Sequence, residues 1–259
     1  MSPYSDIPDF SSAASGPGKP LEDLIAVAQR QRSAALVIKN AQVFNSFSGE
    51  FVSGDVAVEG GYIAGVGEYS GREERDVGGQ YLVPGFIDGH IHLESAMASP
   101  LEFARVLAAQ GTAAVVIDPH EIANVAGAEG ISYILETTEN LPITVYVMLP
   151  SCVPASPLEW GGARLDAGAL APFLAHPRVL GLGEMMNFPG VLGAAPDVLA
   201  KLRLVAGQSQ SAGGGLRIDG HSPGLAGAAL QAYVAAGIDS DHECSTLAEA
   251  NERLALGMA

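Results

Sequence analysis

The stretch Val83-Pro84-Gly85-Phe86-Ile87-Asp88-Gly89-His90-Ile91-His92 ends an apolar run with two histidines one residue apart. In a β-strand alternate side chains share a face, so His90 and His92 would point the same way and Ile91 the opposite way. Two imidazoles on one face are suitable ligands for a divalent cation. A pair of ordinary surface histidines has the same spacing, and the motif alone leaves both interpretations open.

The residues around this histidine pair predict the order strand, loop, helix. Pro84 and Gly85 mark the entry into the strand. Downstream, Ser99-Pro100-Leu101-Glu102 has the pattern of a capping box at the start of a helix, with proline at the first helical position. We therefore expect the histidines to lie where a strand gives way to a loop.

The composition is that of a globular chain. Its 259 residues, of which 48% are hydrophobic and 16% charged, are enough for a packed core in one or two domains. No apolar run approaches the roughly 20 residues of a membrane span, and the first twenty residues lack the features of a secretory signal. The sequence therefore predicts a soluble, cytoplasmic protein with no membrane association.

Cysteine use and net charge narrow the classes of function. Cys152 and Cys244 lie far apart without a CxxC spacing, which predicts free thiols, buried or lining a pocket, rather than a disulfide framework or a thiolate zinc site. The formal net charge of −16 would repel polyanions, so nucleic acid and anionic membrane surfaces are disfavoured as partners. A neutral or cationic small-molecule substrate is favoured, and a homo-oligomer is compatible with the sequence.

Changes in pattern divide the chain into three predicted parts. Residues 1–20 are rich in Ser, Pro, Gly and Ala and are predicted to be a mobile arm. Residues 21–82 are predicted to hold a short amphipathic helix over Leu21–Ala28 and then a small β domain. Within that domain the charged stretch 72–76 is interpreted as a solvated turn. Residues 83–259 are predicted to form a barrel.

From the histidine pair onward, short apolar runs alternate with helical patterns. After the first strand the predicted strands are 113–117, 143–149, 179–182, 216–218 and 237–239. Signals for helix starts occur at Asp166, Pro196, Ser222-Pro223 and Thr246-Leu247-Ala248-Glu249. Alternation of this kind implies a parallel sheet. No GxGxxG phosphate loop follows the first strand, so a (β/α) barrel is favoured over a doubly wound sheet.

In (β/α) barrels the chemistry lies at the carboxyl ends of the strands. The residues at these predicted ends are rich in metal-ligand types: His90, His92, Asp118, His120, Glu121, Glu184, Asp219, His221, Asp241, His242 and Glu243. Only His176 lies elsewhere, ahead of the fourth strand, and is predicted to be a surface residue. Four histidines and a carboxylate at one barrel mouth favour a metal site over chance.

Five strings of residues carry a resemblance to a known family. They are PGFIDGHIHLES (84–95), DPHEIANV (118–125), PSCVP (150–154), GEMMNFPGV (183–191) and DGH (219–221). From about Leu36 to its last residue the chain resembles the amidohydrolase superfamily, and the longer strings resemble its adenine deaminase family. The resemblance implies a (β/α)8 TIM-type barrel with about six βα units present, together with part of a small N-terminal β-sandwich domain.

The resemblance also implies a binuclear metal centre. His90, His92 and Glu184 would hold one ion and Glu184, His221 and His242 the other, so that Glu184 bridges the two where many relatives use a carboxylated lysine. Imidazole and carboxylate ligands suit Zn, Fe or Mn. The implied reaction is metal-dependent hydrolytic deamination of adenine to hypoxanthine and ammonia in purine salvage. Another amidohydrolase reaction, on a cyclic amide, is the alternative.

The remaining strand-end residues have two interpretations each. His120 and Glu121 begin an HExxN string, which differs from the HExxH of zinc proteases. A catalytic role in substrate contact or proton transfer is favoured for this pair, and support of the ligands is the alternative. Asp219, Asp241 and Glu243 are predicted to orient ligand histidines.

Two loops are predicted to line a substrate pocket over the same barrel mouth. Ser151 and Cys152 lie in one, and Asn187 and Phe188 lie in the other. Phe188 would stack on a purine ring. Packing within the loops explains the four residues equally well.

The sequence ends at Ala259 within the sixth predicted helix. The family's seventh and eighth strands, and its strand-eight aspartate, therefore have no counterpart here. Two hypotheses remain: an adenine deaminase recorded as a fragment, or a truncated and catalytically silent chain that at most binds metal or a partner. We expect the 259-residue chain by itself to be inactive toward adenine and prone to aggregate through unpaired strand edges.

Overall fold

The computed structural model describes residues 21–156, 158–206 and 215–259. The predicted mobile arm, residues 1–20, lies outside these ranges. Two compact units divide the chain, the first ending at Gly85 and the second spanning Phe86–Ala259. In the described ranges, no helix combines the length and the apolar character that a membrane crossing requires.

The first unit is one helix followed by one mixed sheet. Its elements are α1 (Leu21–Ala28), β1 (Ala34–Asn45), β2 (Glu50–Glu59), β3 (Tyr62–Gly67), β4 (Gly71–Asp76) and β5 (Tyr81–Leu82). The sheet order is β3-β2-β1-β4, with β5 also beside β1. Strand β2 is antiparallel to β1 and β3, whereas β4 and β5 run parallel to β1. The β-sandwich stays a prediction.

Helix α1 is confirmed, but it does not bury the face of Leu21, Leu24, Ile25 and Ala28 that helical spacing in the sequence predicts to pack. Leu21 and Ile25 remain about half exposed, at 52% and 47%, whereas Val27 is fully buried with Val37 and Ala57. Apolar spacing predicts that a segment is helical. Which side of the helix is covered depends on the strands against which it packs.

The interpretation of residues 72–76 as a solvated turn is wrong, because they belong to strand β4. Arg72 forms an ion pair with Glu59 on β2 at 3.2 Å, and Arg75 pairs with Glu73 at 2.8 Å. Strand β4 ends the sheet and its charged side chains are exposed. Charged residues on an edge strand discourage pairing with other chains, so a charged run is compatible with a strand at this position.

The second unit is built on six parallel strands. They are β6 (Phe86–Ile91), β7 (Thr112–Ile117), β8 (Thr144–Pro150), β9 (Val179–Met185), β10 (Arg217–Gly220) and β11 (Ser240–Asp241). The helices are α2 (Pro100–Ala109), α3 (His120–Thr137), α4 (Ala167–Leu170), α5 (Phe188–Leu192), α6 (Pro196–Ala206), α7 (Gly227–Ala235) and α8 (Leu247–Ala255), with 3-10 turns at Glu94–Ala96 and Ala171–Ala175.

The order of these strands decides the fold class. Each strand pairs in parallel with the next one along the chain, from β6 to β11. A doubly wound sheet would instead reverse its order at a switch point. The unit therefore has a partial TIM-like α/β fold, in agreement with the predicted α/β class and parallel sheet.

The middle strands supply the centre of the core. Fully buried apolar residues occur along β7, β8 and β9, including Val115, Ile117, Val145, Val147, Leu149 and Leu182. Parallel strands covered on both faces have continuous apolar runs rather than alternating ones. Because the six strands are parallel, their carboxyl ends lie at one edge of the sheet.

Three helix starts are confirmed by their caps. The side chains of Ser99, Asp166 and Thr246 accept hydrogen bonds from backbone N–H groups three residues on, at 3.4, 2.9 and 3.2 Å. Helix α6 begins at Pro196 as predicted. Each cap satisfies a backbone donor that the first helical turn leaves free.

Two local predictions near β11 are wrong. Helix α7 begins at Gly227 rather than at Ser222-Pro223, because the Ser222 hydroxyl donates to Asp241 Oδ2 at 2.5 Å and caps no helix. The last strand is Ser240–Asp241 rather than 237–239. Gly237, with φ of +97°, turns the chain after α7, and the strand begins only at Ser240.

Candidate metal centre

The buried carboxylate of Glu184, near the end of β9, lies at the middle of the candidate site. Its Oε1 atom is 3.0 Å from His90 Nε2 and 2.9 Å from His92 Nε2, at the end of β6. Its Oε2 atom is 3.0 Å from His221 Nδ1 and 4.0 Å from His242 Nε2, beyond β10 and β11. Each carboxylate oxygen therefore faces one of the two histidine pairs that the family resemblance implies.

The chemistry of this donor set fits divalent cations. His90 Nε2 and His92 Nε2 are only 3.2 Å apart, so both nitrogens converge on one point. Glu184 Oε1 and His221 Nδ1 are buried and have no hydrogen-bond partner in the described part of the chain. A buried polar atom without a partner is costly. A cation between these atoms would remove that cost, and imidazole with carboxylate suits Zn, Fe or Mn.

Asp219, at the end of β10, contacts two of these histidines. Its Oδ2 atom accepts a hydrogen bond from His242 Nδ1 at 3.1 Å and lies 3.4 Å from His90 Nδ1. The Ser240 hydroxyl fixes the other carboxylate oxygen at 2.5 Å. A carboxylate on Nδ1 keeps the proton there and leaves Nε2 free to bind a cation. The predicted contact between Asp219 and the histidines is present.

The two other carboxylates predicted to orient histidines behave differently. Asp241 contacts Ser222 and Arg253 rather than a histidine ring. Glu243 Oε1 lies 3.6 Å from both His221 Nδ1 and His242 Nε2, beyond hydrogen-bond distance. Of the three carboxylates, Asp219 is the one whose geometry fixes a tautomer.

The carboxylates of the cluster raise the pKa of the neighbouring histidines. Burial lowers the pKa of His90, but the carboxylates of Asp219 and Glu184 outweigh it and raise that pKa to about 10. The Glu184 carboxylate raises the pKa of His92 to about 9. Burial raises the pKa of Glu184, yet the surrounding histidines outweigh it and hold that pKa well below its usual range. Glu184 is therefore an ionised carboxylate at neutral pH.

A second group of polar residues lies beside the first histidine pair. Asp118, at the end of β7, is fully buried, and neither of its carboxylate oxygens has a hydrogen-bond partner among the described residues. His120 Nδ1 is 3.6 Å from Asp118 Oδ1 and 3.7 Å from Glu184 Oε1. Glu121 Oε2 is 3.5 Å from His92 Nδ1 and 3.9 Å from His120 Nε2. The pair of His120 and Glu121 thus adjoins the candidate ligands.

The arrangement of these residues agrees with a comparison against known families. A sequence model described as the amidohydrolase family matches residues 81–258. The chain belongs to the amidohydrolase family. The family inferred from the sequence motifs is therefore confirmed.

Individual relatives extend this amidohydrolase assignment. The chain is 57% identical over 240 residues to "Adenine deaminase 2" of Carboxydothermus hydrogenoformans, covering 93% of this chain and 41% of that protein. It is 48% identical over 237 residues to "Adenine deaminase" of Desulfatibacillum aliphaticivorans, covering 92% of this chain and 41% of that protein. The chain thus spans 41% of the length of these two curated relatives.

A solved structure shares the fold. The N-acyl-D-glutamate deacylase of Bordetella bronchiseptica, in complex with zinc and a phosphonate inhibitor, matches with a TM-score of 0.54 and 17% sequence identity. The match covers 86% of this chain and 55% of the deacylase. At this identity the likeness concerns the fold alone. Members of the amidohydrolase family use divalent metals, and this chain has several groups of His, Asp and Glu that are close enough to hold one.

The four residues predicted to line a substrate pocket contact other residues of this amidohydrolase. The Ser151 hydroxyl donates to the Glu184 carbonyl oxygen at 2.6 Å, and the Asn187 N–H donates to Cys152 Sγ at 3.4 Å. Asn187 Oδ1 caps α5, and Phe188 packs against the main core. These contacts favour the structural interpretation for Ser151 and Asn187. The substrate-binding role of the four residues stays a prediction.

Two further residues of the site have little signal in the sequence. Lys201, on α6, is buried and its ammonium donates to the Ser151 carbonyl oxygen at 2.7 Å, beneath the contact between Ser151 and Glu184. A Cβ atom on Gly183 would overlap Asp118 Oδ2 and lie 2.7 Å from Asp118 Cγ. In the sequence, Lys201 cannot be distinguished from an ordinary lysine of an amphipathic helix. His176 lies ahead of β9, outside the cluster, as expected.

Proposed function

We propose that the protein catalyses the hydrolytic deamination of adenine to hypoxanthine and ammonia, with two divalent metal ions bound around Glu184. The observation that carries the proposal is the pairing of one histidine couple with each oxygen of a single buried carboxylate. The chain's 57% identity to an adenine deaminase of C. hydrogenoformans supports the choice of substrate. The reaction would recycle a purine base in the cytoplasm.

The proposed ligand sets follow the two faces of the Glu184 carboxylate. His90 and His92 would hold the first ion with Oε1, and His221 and His242 would hold the second with Oε2. Mn, Fe and Zn all suit these ligands. When bound, such ions supply Lewis acidity and lower the pKa of a nearby water.

The chain's own residues would hold the ligands and move protons. Asp219 keeps the imidazole of His242 in the tautomer that leaves Nε2 free. Hydrolysis of an amino group requires one proton to leave the attacking water and one to reach the departing nitrogen. We assign this transfer to His120 and Glu121, because His120 adjoins Glu184 and the partly exposed side chain of Glu121 lies 3.9 Å from His120.

The substrate pocket is assigned to the loops after β8 and β9. The ring of Phe188 would stack on the purine, and Ser151, Cys152 and Asn187 would shape the surrounding wall. The chain's formal charge of −16 is compatible with a neutral base and unfavourable for a polyanion.

The test of the proposal is an assay of ammonia release from the purified protein after loading with Mn²⁺, Fe²⁺ or Zn²⁺. We expect no release from residues 1–259 alone, and release from adenine that disappears on chelation and returns with metal in a chain extended through the seventh and eighth strands. Release from a cyclic amide but not from adenine would favour the other amidohydrolase reaction. Metal bound without release from either substrate would favour a chain that binds metal and is catalytically silent.

His92→Ala is expected to remove one of the two ions per chain, because a site that loses one of few protein ligands loses affinity steeply. Metal content after dialysis measures the change. His176→Ala, at the histidine outside the cluster, is the matched control and should keep two ions. A His92→Ala protein that also keeps two ions would contradict the first ligand set.

Asp219→Asn is expected to weaken metal binding by about 10-fold to 100-fold, since loss of the charge that orients a ligand histidine has effects of this size. Titration of the metal-free protein with Mn²⁺ measures the affinity. Asp197→Asn, at an exposed carboxylate on α6, makes the same change away from the histidines. Equal affinity in the two variants would argue that Asp219 does not support the ligands.

A further inference from the structure

We propose that Tyr233 and the buried pair of Arg253 and Asp241 are positioning residues for the second ion, the one assigned to Glu184, His221 and His242. The inference rests on the proposed two-ion centre. It concerns helices α7 and α8, which carry Tyr233 and Arg253 and none of the candidate ligands.

The hydroxyl of Tyr233 joins the backbone segments of two candidate ligands. The tyrosine is fully buried, and its hydroxyl donates to the Met185 carbonyl oxygen at 2.7 Å and accepts from the His221 N–H at 3.1 Å. Met185 directly follows Glu184. One oxygen atom therefore ties the strand end that carries the bridging carboxylate to the residue that would bind the second ion.

The ring of Tyr233 is also fitted to the end of β10. A Cβ atom on Gly220 would overlap the Ser240 carbonyl oxygen and lie 3.1 Å from Tyr233 Cε1. The ring thus packs directly on the backbone of the residue that precedes His221. A displacement of this ring would be transmitted to His221 through close-packed atoms.

Arg253 and Asp241 connect the segments of the two histidines. Both side chains are almost fully buried, at 3% and 0% exposure, and Arg253 Nε donates to Asp241 Oδ2 at 2.7 Å. Arg253 Nη2 donates to the Ser222 carbonyl oxygen at 2.6 Å. Ser222 follows His221 and Asp241 precedes His242, so one guanidinium spans both segments.

Most of these contacts serve one side of the site, the exception being the contact with Met185, which adjoins the shared ligand Glu184. None of those described reaches His90 or His92, which lie at the end of β6 and would hold the first ion. A buried ion pair is weak support for stability, because desolvation of the two charges offsets their attraction. Metal affinity, by contrast, depends steeply on ligand position. The second ion should therefore respond to these residues more than the first.

The experiment compares Tyr233→Phe and Arg253→Gln with the parent in titrations with Mn²⁺ alone and in metal content after dialysis. We expect each variant to bind one ion with parent affinity and the second about 10-fold to 100-fold more weakly. Tyr133→Phe on α3 and Arg203→Gln on α6 make the same changes at exposed residues and should match the parent.

If Arg253→Gln does not fold, Tyr233→Phe tests the inference by itself, because it removes only a single oxygen atom. Parent affinity for both ions in Tyr233→Phe would overturn the inference. So would an equal loss of both ions, which would indicate a general structural role. A parent protein that binds fewer than two ions would overturn the two-ion centre and this inference with it, and that outcome is distinct from the other two.

Discussion

Glu184→Gln is expected to abolish stable binding of both proposed ions and, with them, the proposed deamination of adenine. The carboxylate places one oxygen before each histidine pair, and an amide can offer only one neutral oxygen. Loss of an outer contact to a ligand already costs about 10-fold to 100-fold in metal affinity, so loss of the bridge should cost at least about 100-fold. Titration with Mn²⁺ and an ammonia assay measure the two effects.

The substitution hardly changes the volume of the side chain, so the fold should persist. Circular dichroism would check this, and Glu129→Gln on an exposed position of α3 is the matched control. A Glu184→Gln protein with two tightly bound ions and the parent rate would show that the histidines are organised around another group.

Gly181→Ala is expected to be among the most destabilising single substitutions in the second unit, lowering the free energy of unfolding by about 3 kcal/mol or more. Gly181 pairs with Arg217 of β10 and has φ of +155°. An added Cβ would overlap the Arg217 carbonyl oxygen and lie 2.6 Å from its backbone nitrogen. Both clashing atoms belong to the backbone of the neighbouring strand, so the clash can be removed only if β9 and β10 separate.

Chemical denaturation measures the Gly181→Ala effect against a total stability that is typically about 5–15 kcal/mol for a domain. Gly89→Ala is the control, because a Cβ at that position meets no atom within 4 Å and should change stability by less than about 0.5 kcal/mol. Equal stability of the two variants would contradict the close approach of β9 and β10. Because Glu184 lies three residues after Gly181, metal binding should weaken as well.

The sequence predicted the parts of this protein that depend on local patterns. Apolar runs predicted the first five of the six parallel strands, and short capping motifs predicted the helix starts at Ser99, Asp166 and Thr246. The spacing of His90 and His92 predicted two rings on one face, and their Nε2 atoms do converge. These signals are local because strand alternation and helix capping involve residues only a few positions apart.

No local sequence pattern predicted the contacts between residues that lie far apart in the chain. Asp118, Asp219 and Asp241 all follow or end a strand, yet Asp219 contacts the histidines, Asp241 pairs with Arg253, and Asp118 has no hydrogen-bond partner among the residues described. Sequence position alone could not separate these roles. The charged run at 72–76 resembles a solvated turn for a related reason, since its place at a sheet edge is set by pairing with β1.

The most direct test of the two-ion centre is anomalous diffraction from crystals of the protein grown with Mn²⁺. The proposed centre predicts two peaks roughly 3.5–4 Å apart, as in other two-metal sites. One should lie beside His90 and His92 and the other beside His221 and His242, with the Glu184 carboxylate between them. A single peak, or peaks away from Glu184, would contradict the account.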